Sequence, residues 1–393
     1  MVNYRHATPE QVRLAMDARK IAEENLLPRI EEYETADGGL GKYPLDVHYK
    51  MAQAGYYAMN IPKEWGGRGY DVVTEGVIMN EIAKVDAGFA MGLHNSGSYF
   101  HFVNDTSMSH ADKQLWADRF LRGDAIGAFC VTEPDAGSDA AAMRTTAYRD
   151  GDEWVINGTK CFISMASVAN FFVVAAWTDR TKRVSQGVTF FFVEKERGVQ
   201  IGKKENKMGL HLNETAEVIF EDVRVPADHV IGEEGRGFVI SMKEISTEGR
   251  TLGAAFALGI AESALEYVTE FAKNTRKNGK RLIDHQDIGF RLADMYARTE
   301  ACRAMIYEGL TCLRDGISTG YMPNMIKMYN SDCVMQTALD AMHIYGEYGY
   351  SNDCPITRLV CNAKIFQIFS GTNEIQHKNT MQAIAGKDPL RKK

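Results

Sequence analysis

Apolar residues recur at three- and four-residue steps through the first 121 positions, the spacing of amphipathic helices. Residues 9–27 predict a helix, with Pro9 in the first turn, where a missing N–H costs nothing. Residues 44–54 repeat the pattern until Gly55 ends it, and 73–85 predict a third helix. From Gly127 the period changes to two. Residues 128–132, 153–156, 171–177, 188–193, 199–201 and 217–220 read as strands, and Asp150-Gly151 and Asn157-Gly158 predict tight turns. Beyond Phe238 the helical period returns over 251–271, 287–314, 321–344 and 355–368. The first of these is rich in Gly and Ala, which allows close helix–helix approach. The chain therefore reads as α+β in three parts: a helical domain (1–125), a β-domain (126–236) and a helical bundle (237–393).

Several local features carry a structural reading. Ile61-Pro-Lys-Glu-Trp-Gly-Gly-Arg-Gly69 is glycine-rich but lacks the Lys-Ser/Thr ending of a phosphate cradle, so a turn is expected. Met325, Met328, Met335 and Met342 read as adaptable core. His94 and His101, seven apart, fall on one helical face. They have no third ligand nearby, and no metal is expected.

Composition narrows the classes. The chain has 393 residues, enough for two or three domains, and a net charge of −7 that gives nucleic-acid binding no support. No apolar run approaches the roughly 20 residues that span a membrane. Seven cysteines without a Cys-x-x-Cys pair fit free thiols in a reducing compartment, so the cytoplasm is expected.

The chemistry centres on Ala128-Phe-Cys-Val-Thr-Glu-Pro-Asp-Ala-Gly-Ser-Asp139, a β-prone run opening into a small, donor-rich loop. Such an edge suits a flat cofactor rimmed by polar atoms. The run resembles the flavin and acyl-thioester contact segment of the acyl-CoA dehydrogenase family. Residues 158–164 (Gly-Thr-Lys-Cys-Phe-Ile-Ser) resemble that family's second flavin strand, and 214–226 with 232–238 resemble the exit from its β-domain. Residues 363–376, containing Phe369-Ser-Gly-Thr-Asn-Glu374, resemble its C-terminal signature. The matches keep the same order over nearly the whole chain.

The resemblance implies a helical N-terminal domain, a middle β-barrel and a C-terminal four-helix bundle. It also implies FAD as cofactor, an acyl-CoA substrate, a homotetramer built as a dimer of dimers, and an electron-transferring flavoprotein as redox partner. Carried over residue by residue, the flavin contacts are Phe129, Val131, Thr132, Phe162, Ser164, Arg276, Gln286, His343, Gly346, Thr372 and Glu374. The substrate contacts are Ser138, Arg250, Ser370 and Gly371.

The reaction needs a carboxylate to remove the α-proton while hydride leaves the β-carbon. In many relatives that carboxylate precedes the Gly-Thr of the C-terminal signature, where this chain has Ser370. A second subgroup, acting on branched and long chains, carries it just before an Arg at the start of the bundle. Glu248-Gly249-Arg250 makes Glu248 the candidate base, with Glu244 one turn earlier as its fallback. That subgroup favours a branched or bulky acyl group. Other departures are Arg276 displaced by one position, His343 and Glu347 in the Gln-x-x-Gly-Gly motif, and Cys361-Asn362 in place of Arg-Asp. Two rivals stand beside this reading. One is a reductase or dehydrogenase acting on an unusual acyl-CoA, with Asp86 or His94 handling the proton. The other is a catalytically silent binding or assembly subunit.

Overall fold

The computed structural model describes residues 6–244, 249–317 and 320–386. Seven helices open the chain: α1 (Pro9–Asn25), α2 (Ile30–Gly39), α3 (Leu45–Gln53), α4 (Val72–Val85), α5 (Ala87–Ser98), α6 (Phe100–Asn104) and α7 (His110–Arg122). Thr8 caps α1 reciprocally: its hydroxyl accepts from the Gln11 amide at 3.2 Å, and the Gln11 side chain accepts from the Thr8 amide at 2.8 Å. Asp71 caps α4. Every residue of α4 from Val73 onward is buried, so the helix runs through the molecule's centre rather than along its surface. The glycine-rich stretch is a turn, as expected. Its Gly67 lies so close to the Ile61 carbonyl that a Cβ would sit 2.0 Å from that oxygen.

The β-region holds β1 (Gly127–Cys130), β2 (Thr146–Asp150), β3 (Glu153–Ser164), β4 (Phe171–Trp177), a single helical turn α8 (Val184–Gly187), β5 (Val188–Glu194), β6 (Gln200–Lys204), β7 (Thr215–Pro226) and β8 (Val230–Ile231). Strand order is β6-β7-β3-β2-β4-β5-β8, with β1 parallel to β4. The sheet curls around its own core. Trp154 of β3 meets Phe191 of β5 at 5.5 Å, and Phe172 of β4 meets Phe220 of β7 at 6.4 Å, although neither pair of strands is adjacent. Both faces of β4 and β5 are buried. Phe172, Val174, Phe191 and Val193 fill the sheet interior, while Phe171, Val173, Phe190 and Phe192 pack against the helices. This explains why these strands are continuous apolar runs without alternation.

Asp150-Gly151 does form a tight β2–β3 turn, since Asp150 pairs with Glu153. Asn157-Gly158 does not. It lies inside β3 at a bulge, where a Cβ on Gly158 would stand 2.3 Å from the Thr145 hydroxyl. The glycine serves close packing here, not chain reversal.

Helices then resume with α9 (Gly237–Glu244), α10 (Arg250–Asn274), α11 (Gln286–Arg314), α12 (Met322–Tyr345), α13 (Pro355–Lys364) and α14 (Asn373–Ile384). A short ribbon, β9 (Arg276–Lys277) and β10 (Lys280–Arg281), joins α10 to α11. Gly259 of α10 lies against α4, where a Cβ would stand 2.7 Å from Ala83, so close approach of small residues holds here. Met325, Met328, Met335 and Met342 of α12 are only half-buried. Its buried face instead carries Asn324, Lys327, Asn330 and Ser331 among Ile326 and Val334. His94 and His101 fall on separate helices, α5 and α6, broken at Tyr99, so they do not share one helical face. Among the described residues no group of three or more His, Cys, Asp or Glu is arranged to hold a metal, and no helix is long and apolar enough to cross a membrane.

Candidate active site

Two strands bring the first cluster together. The Cys161 amide donates to the Thr132 carbonyl at 3.0 Å, so the chain just beyond β1 is tied to the end of β3. Phe162 has a left-handed φ of 54° at a bulge in β3, and its ring is 63 % exposed. An aromatic residue is rarely held this way without a reason. Thr132 and Ser164 are half-buried, and Phe129 packs on Phe102 and Phe190. The result is an exposed aromatic face beside two hydroxyls, a donor set that fits a flat heteroaromatic ring rimmed by polar atoms.

A buried ion pair underlies this surface. Lys160, with no exposed area, lies 2.8 Å from Glu133 and donates to the Val131 carbonyl at 3.2 Å. Glu133 also accepts from the Thr145 amide (3.0 Å), the Thr145 hydroxyl (2.6 Å) and the Arg144 amide (2.5 Å). Burial works to raise the Glu133 pKa, but Lys160 and these hydrogen bonds prevail and hold it low. Sequence reasoning missed this pair, which stands 27 residues apart in the chain. Its only signal was a glutamate just past the apolar run of β1 and a lysine in the middle of β3.

The second cluster lies where α10 begins. Arg250 is 5 % exposed; its Nε donates to the Ser370 carbonyl at 3.4 Å and its Nη1 to Asn324 at 2.7 Å. Ser370 and Gly371 both have left-handed φ, 54° and 85°, which reverses the chain before Thr372 caps α14. Gln376 of α14 clamps the reversal by donating to the Ser370 and Gly371 carbonyls at 3.1 and 2.8 Å. Lys327 lines the same cleft, with Gly249, Gly253, Ala254, Ala257, Ser331, Phe366, Phe369 and Ser370. Burial, with Arg250 adding to it, lowers the Lys327 pKa to about 8, and burial lowers that of Arg250 to about 10. Lys327 was also missed, because the methionine pattern of α12 drew the eye to the wrong face.

The remaining expected contacts are dispersed. Ser138 is exposed on the loop after β1. Arg276 sits on the exposed ribbon and Gln286 at the start of α11. His343 and Gly346 close α12 on the surface, and Glu374 is exposed in the first turn of α14. Asp86 is engaged structurally: it caps α5 through the Phe89 amide at 2.7 Å and pairs with Arg358 at 3.5 Å. His94 stands 3.4 Å from Glu75. Asn362 accepts from the Leu210 amide at 2.7 Å and so ties α13 to the loop before β7. Glu248 lies outside the described residues, as does the Glu244 side chain.

The chain matches three family models in succession: the acyl-CoA dehydrogenase N-terminal domain (residues 8–124), middle domain (128–223) and C-terminal domain (235–385). It is 37 % identical over 377 residues to an acyl-CoA dehydrogenase of Bacillus subtilis, covering 94 % of this chain and 97 % of the relative. Its structure superposes on butyryl-CoA dehydrogenase from Megasphaera elsdenii with a TM-score of 0.90 at 34 % identity, covering 98 % and 100 % of the two chains. It superposes on a glutaryl-CoA dehydrogenase from Mycobacterium smegmatis in complex with FADH2 with a TM-score of 0.88 at 25 % identity, covering 99 % and 98 %. With matches spanning both helical parts and the sheet between them, the chain belongs to the acyl-CoA dehydrogenase family, oxidoreductases that act on CH–CH bonds.

Proposed function

We propose that this chain holds FAD, catalyses α,β-dehydrogenation of an acyl-CoA thioester, and passes the electrons to an electron-transferring flavoprotein. The observation that carries the reading is the exposed Phe162 ring beside the Thr132 and Ser164 hydroxyls, in a chain of this family. Phe129, Val131, Thr132, Phe162 and Ser164 would seat the flavin ring. Arg276, Gln286, His343 and Gly346, together with Thr372 and Glu374, would serve the ADP and phosphate half. The first four are on or near the surface at the ends of α10, α11 and α12, which leaves them available to a second copy in a homotetramer. FAD, when bound, supplies the hydride acceptor.

The chain's own residues would do the rest. Ser138 and Arg250 would hold the thioester arm, and Ser370 and Gly371 would flank the reacting carbons. Glu248 precedes by two residues an arginine that lines the Ser370 cleft, which supports it as the group that removes the α-proton. Desolvation by a bound acyl chain would raise its pKa from about 4.3 toward the working pH. A branched or bulky acyl group is compatible with Gly253, where an added methyl would meet open space. Seven unpaired thiols fit a reducing compartment such as the cytoplasm.

The test is an anaerobic titration of the purified flavoprotein with acyl-CoAs, repeated for Glu248→Gln. Loss of flavin bleaching with an unchanged resting flavin spectrum is expected, because a neutral amide accepts no proton. Normal bleaching in that variant would sink the assignment of Glu248. Ser370 favours a second reading, in which the site acts reductively on an unusual acyl-CoA and another residue handles the proton. A colourless protein that cannot be reconstituted with FAD would leave only a binding or assembly role.

A further inference from the structure

The seam between α11 and α12 is fixed by two contacts that lie well apart along it. Arg298 of α11 donates to the Thr337 hydroxyl of α12 at 3.3 Å. Gly309 of α11 lies so close to α12 that a Cβ would stand 2.5 Å from Ile326 Cδ1. Eleven residues separate the two positions in each helix, and the order is reversed, so the helices run antiparallel in one constant register. One turn inward from Arg298 and Thr337, four residues on in α11 and four back in α12, stand Cys302 and Cys333. Two turns from Gly309 and Ile326, seven residues along each helix, the count arrives at the same pair. The side chains do meet there: the Cys302 thiol donates to the Cys333 sulfur.

The two thiols differ in their surroundings. Cys302 is 1 % exposed, whereas Cys333 is 9 % exposed and stands one turn from Tyr329, itself 44 % exposed. The Tyr329 hydroxyl also donates to the Cys333 sulfur. Cys302 first, then Tyr329 and the Arg298 charge, hold the Cys333 thiol below its ordinary range, while burial and Asp332 work against them. The Cys302 proton is held in turn by its bond to Cys333 and by burial. An outer thiol prone to ionise, with a protonated thiol directly behind it, is the arrangement of an attacking and a resolving cysteine. Exposure alone would instead favour Cys312, which is only half-buried. Its thiol donates to the Glu308 carboxylate at 3.8 Å, and desolvation together with that carboxylate pushes it up.

We infer that Cys333 and Cys302 form a peroxide-reactive dithiol that closes to a disulfide and staples α11 to α12. The Cys333 thiolate attacks one oxygen of hydrogen peroxide and the O–O bond breaks. The leaving hydroxide takes the proton that Cys333 gave up and departs as water, leaving a sulfenic acid. The Cys302 sulfur then attacks the sulfenic sulfur, so an S–S bond forms and the S–O bond breaks. The Cys302 proton leaves with that hydroxide as a second water. Two thiols lose two electrons in all, and one peroxide gains them. In a reducing compartment such a bond is transient and redox-sensing, not structural. The step uses neither flavin nor thioester, so it stands apart from the function proposed above.

The test counts thiols. Reduced holoenzyme receives one equivalent of hydrogen peroxide per chain, its remaining thiols are alkylated, and masses are read intact and after proteolysis without reductant. Five of the seven cysteines are expected to be alkylated, with the Cys302 and Cys333 peptides joined, and dithiothreitol should restore all seven. Cys302→Ser is expected to form no disulfide and to leave a sulfenic acid on Cys333 that dimedone captures. Cys333→Ser is expected to slow peroxide consumption by about tenfold, because the activated thiol is gone. The wild-type count needs neither variant, so it decides the matter even where a variant folds poorly. Seven alkylated thiols at that dose would overturn the proposal, as would a disulfide joining any other pair or two chains. Dimedone capture at Cys312 ahead of Cys333 would overturn it too, since exposure would then outweigh the cluster around Cys333.

Discussion

Lys84 and Lys327 are equally hidden, at 4 % and 5 % exposed, yet they sit in opposite electrostatic surroundings. Lys84 lies between α4 and α10 and pairs with Glu81 and with Glu262 at 2.8 Å. Glu262 in turn pairs with Arg303 of α11, and Glu81 with Arg19 of α1 at 3.2 Å, so four helices share one alternating network. Burial works to lower the Lys84 pKa, but Glu262 and Glu81 outweigh it and raise it. At Lys327 burial, with Arg250 adding to it, outweighs the weaker opposing pull of Asp332 and Glu374, and the pKa falls to about 8. Burial therefore does not distinguish a structural charge from one kept for a ligand. The partner does. Where the fold supplies the counter-ion the charge joins elements, whereas the one hydrogen-bond partner of Lys327 among the described residues is the neutral Asn373 amide.

The comparison is broken most severely by removing the structural member. Lys84→Met leaves two buried glutamates short of a cation, and breaking a buried pair in this way costs about 3–5 kcal/mol. The expected result is a large fall in the urea midpoint of the holoprotein with no change in denaturant slope. A fall no larger than that of an average surface substitution would mean that Arg19 and Arg303 suffice for both carboxylates. Lys160→Met, at the other internally paired site, belongs to the same class. There the loss should also release flavin, because Glu133 organises the chain between Thr132 and Thr145.

The chain's pattern revealed its architecture far better than its charges. Residues 171–177 and 188–193 could be read as strands because both faces are buried and nothing polar interrupts them. The Gly158 position was misread, since a glycine admitting a close neighbour and a glycine reversing the chain look the same in one sequence. Phe129, Thr132, Phe162 and Ser164 are expected through resemblance; the structure places Phe129 on β1, Phe162 and Ser164 on β3, and Thr132 on the segment past β1 that hydrogen-bonds to β3. The polar face of α12 was not legible. Asn324, Lys327 and Ser331 fall at steps of three and four, but polar residues at that spacing more often mark a solvated face. Only the packing of α10, α13 and α14 around α12 turns that face inward.

A subtler contrast follows from pH. Lys327 titrates near 8 when folded and near 10.4 when unfolded, so between those values the unfolded chain holds the extra proton. Stability then rises with pH across that window, by up to about 3 kcal/mol, as the folded state sheds an unfavourable charge. Lys84 behaves in the opposite sense. Its raised folded pKa gives a contribution fully present below about 10.4 and lost only above it. Lys207, which burial also lowers to about 8, adds its own rise. The quantity to measure is therefore the difference between wild type and Lys327→Met from pH 7.5 to 10.5, in which Lys207 cancels. A flat difference would mean that Lys327 already has an anion beside it.

The same variant gives the smallest effect and the most telling sign. At pH 7 Lys327→Met removes a buried cation whose hydrogen-bonded partner is a neutral amide. The Asn373 oxygen keeps a donor in the Ser331 hydroxyl at 3.1 Å, so no acceptor is stranded. Methionine fills a similar volume and adapts to an irregular space. Replacing an uncompensated charge by an apolar group should then be neutral or stabilising, by as much as about 2 kcal/mol. Lys84→Met, with equal burial, should be strongly destabilising. Opposite signs from two equally buried lysines, measured in one buffer, would establish that the fold neutralises one and leaves the other unneutralised. Two losses of similar size would remove the ground for treating the Arg250–Lys327 cleft as anything but structure.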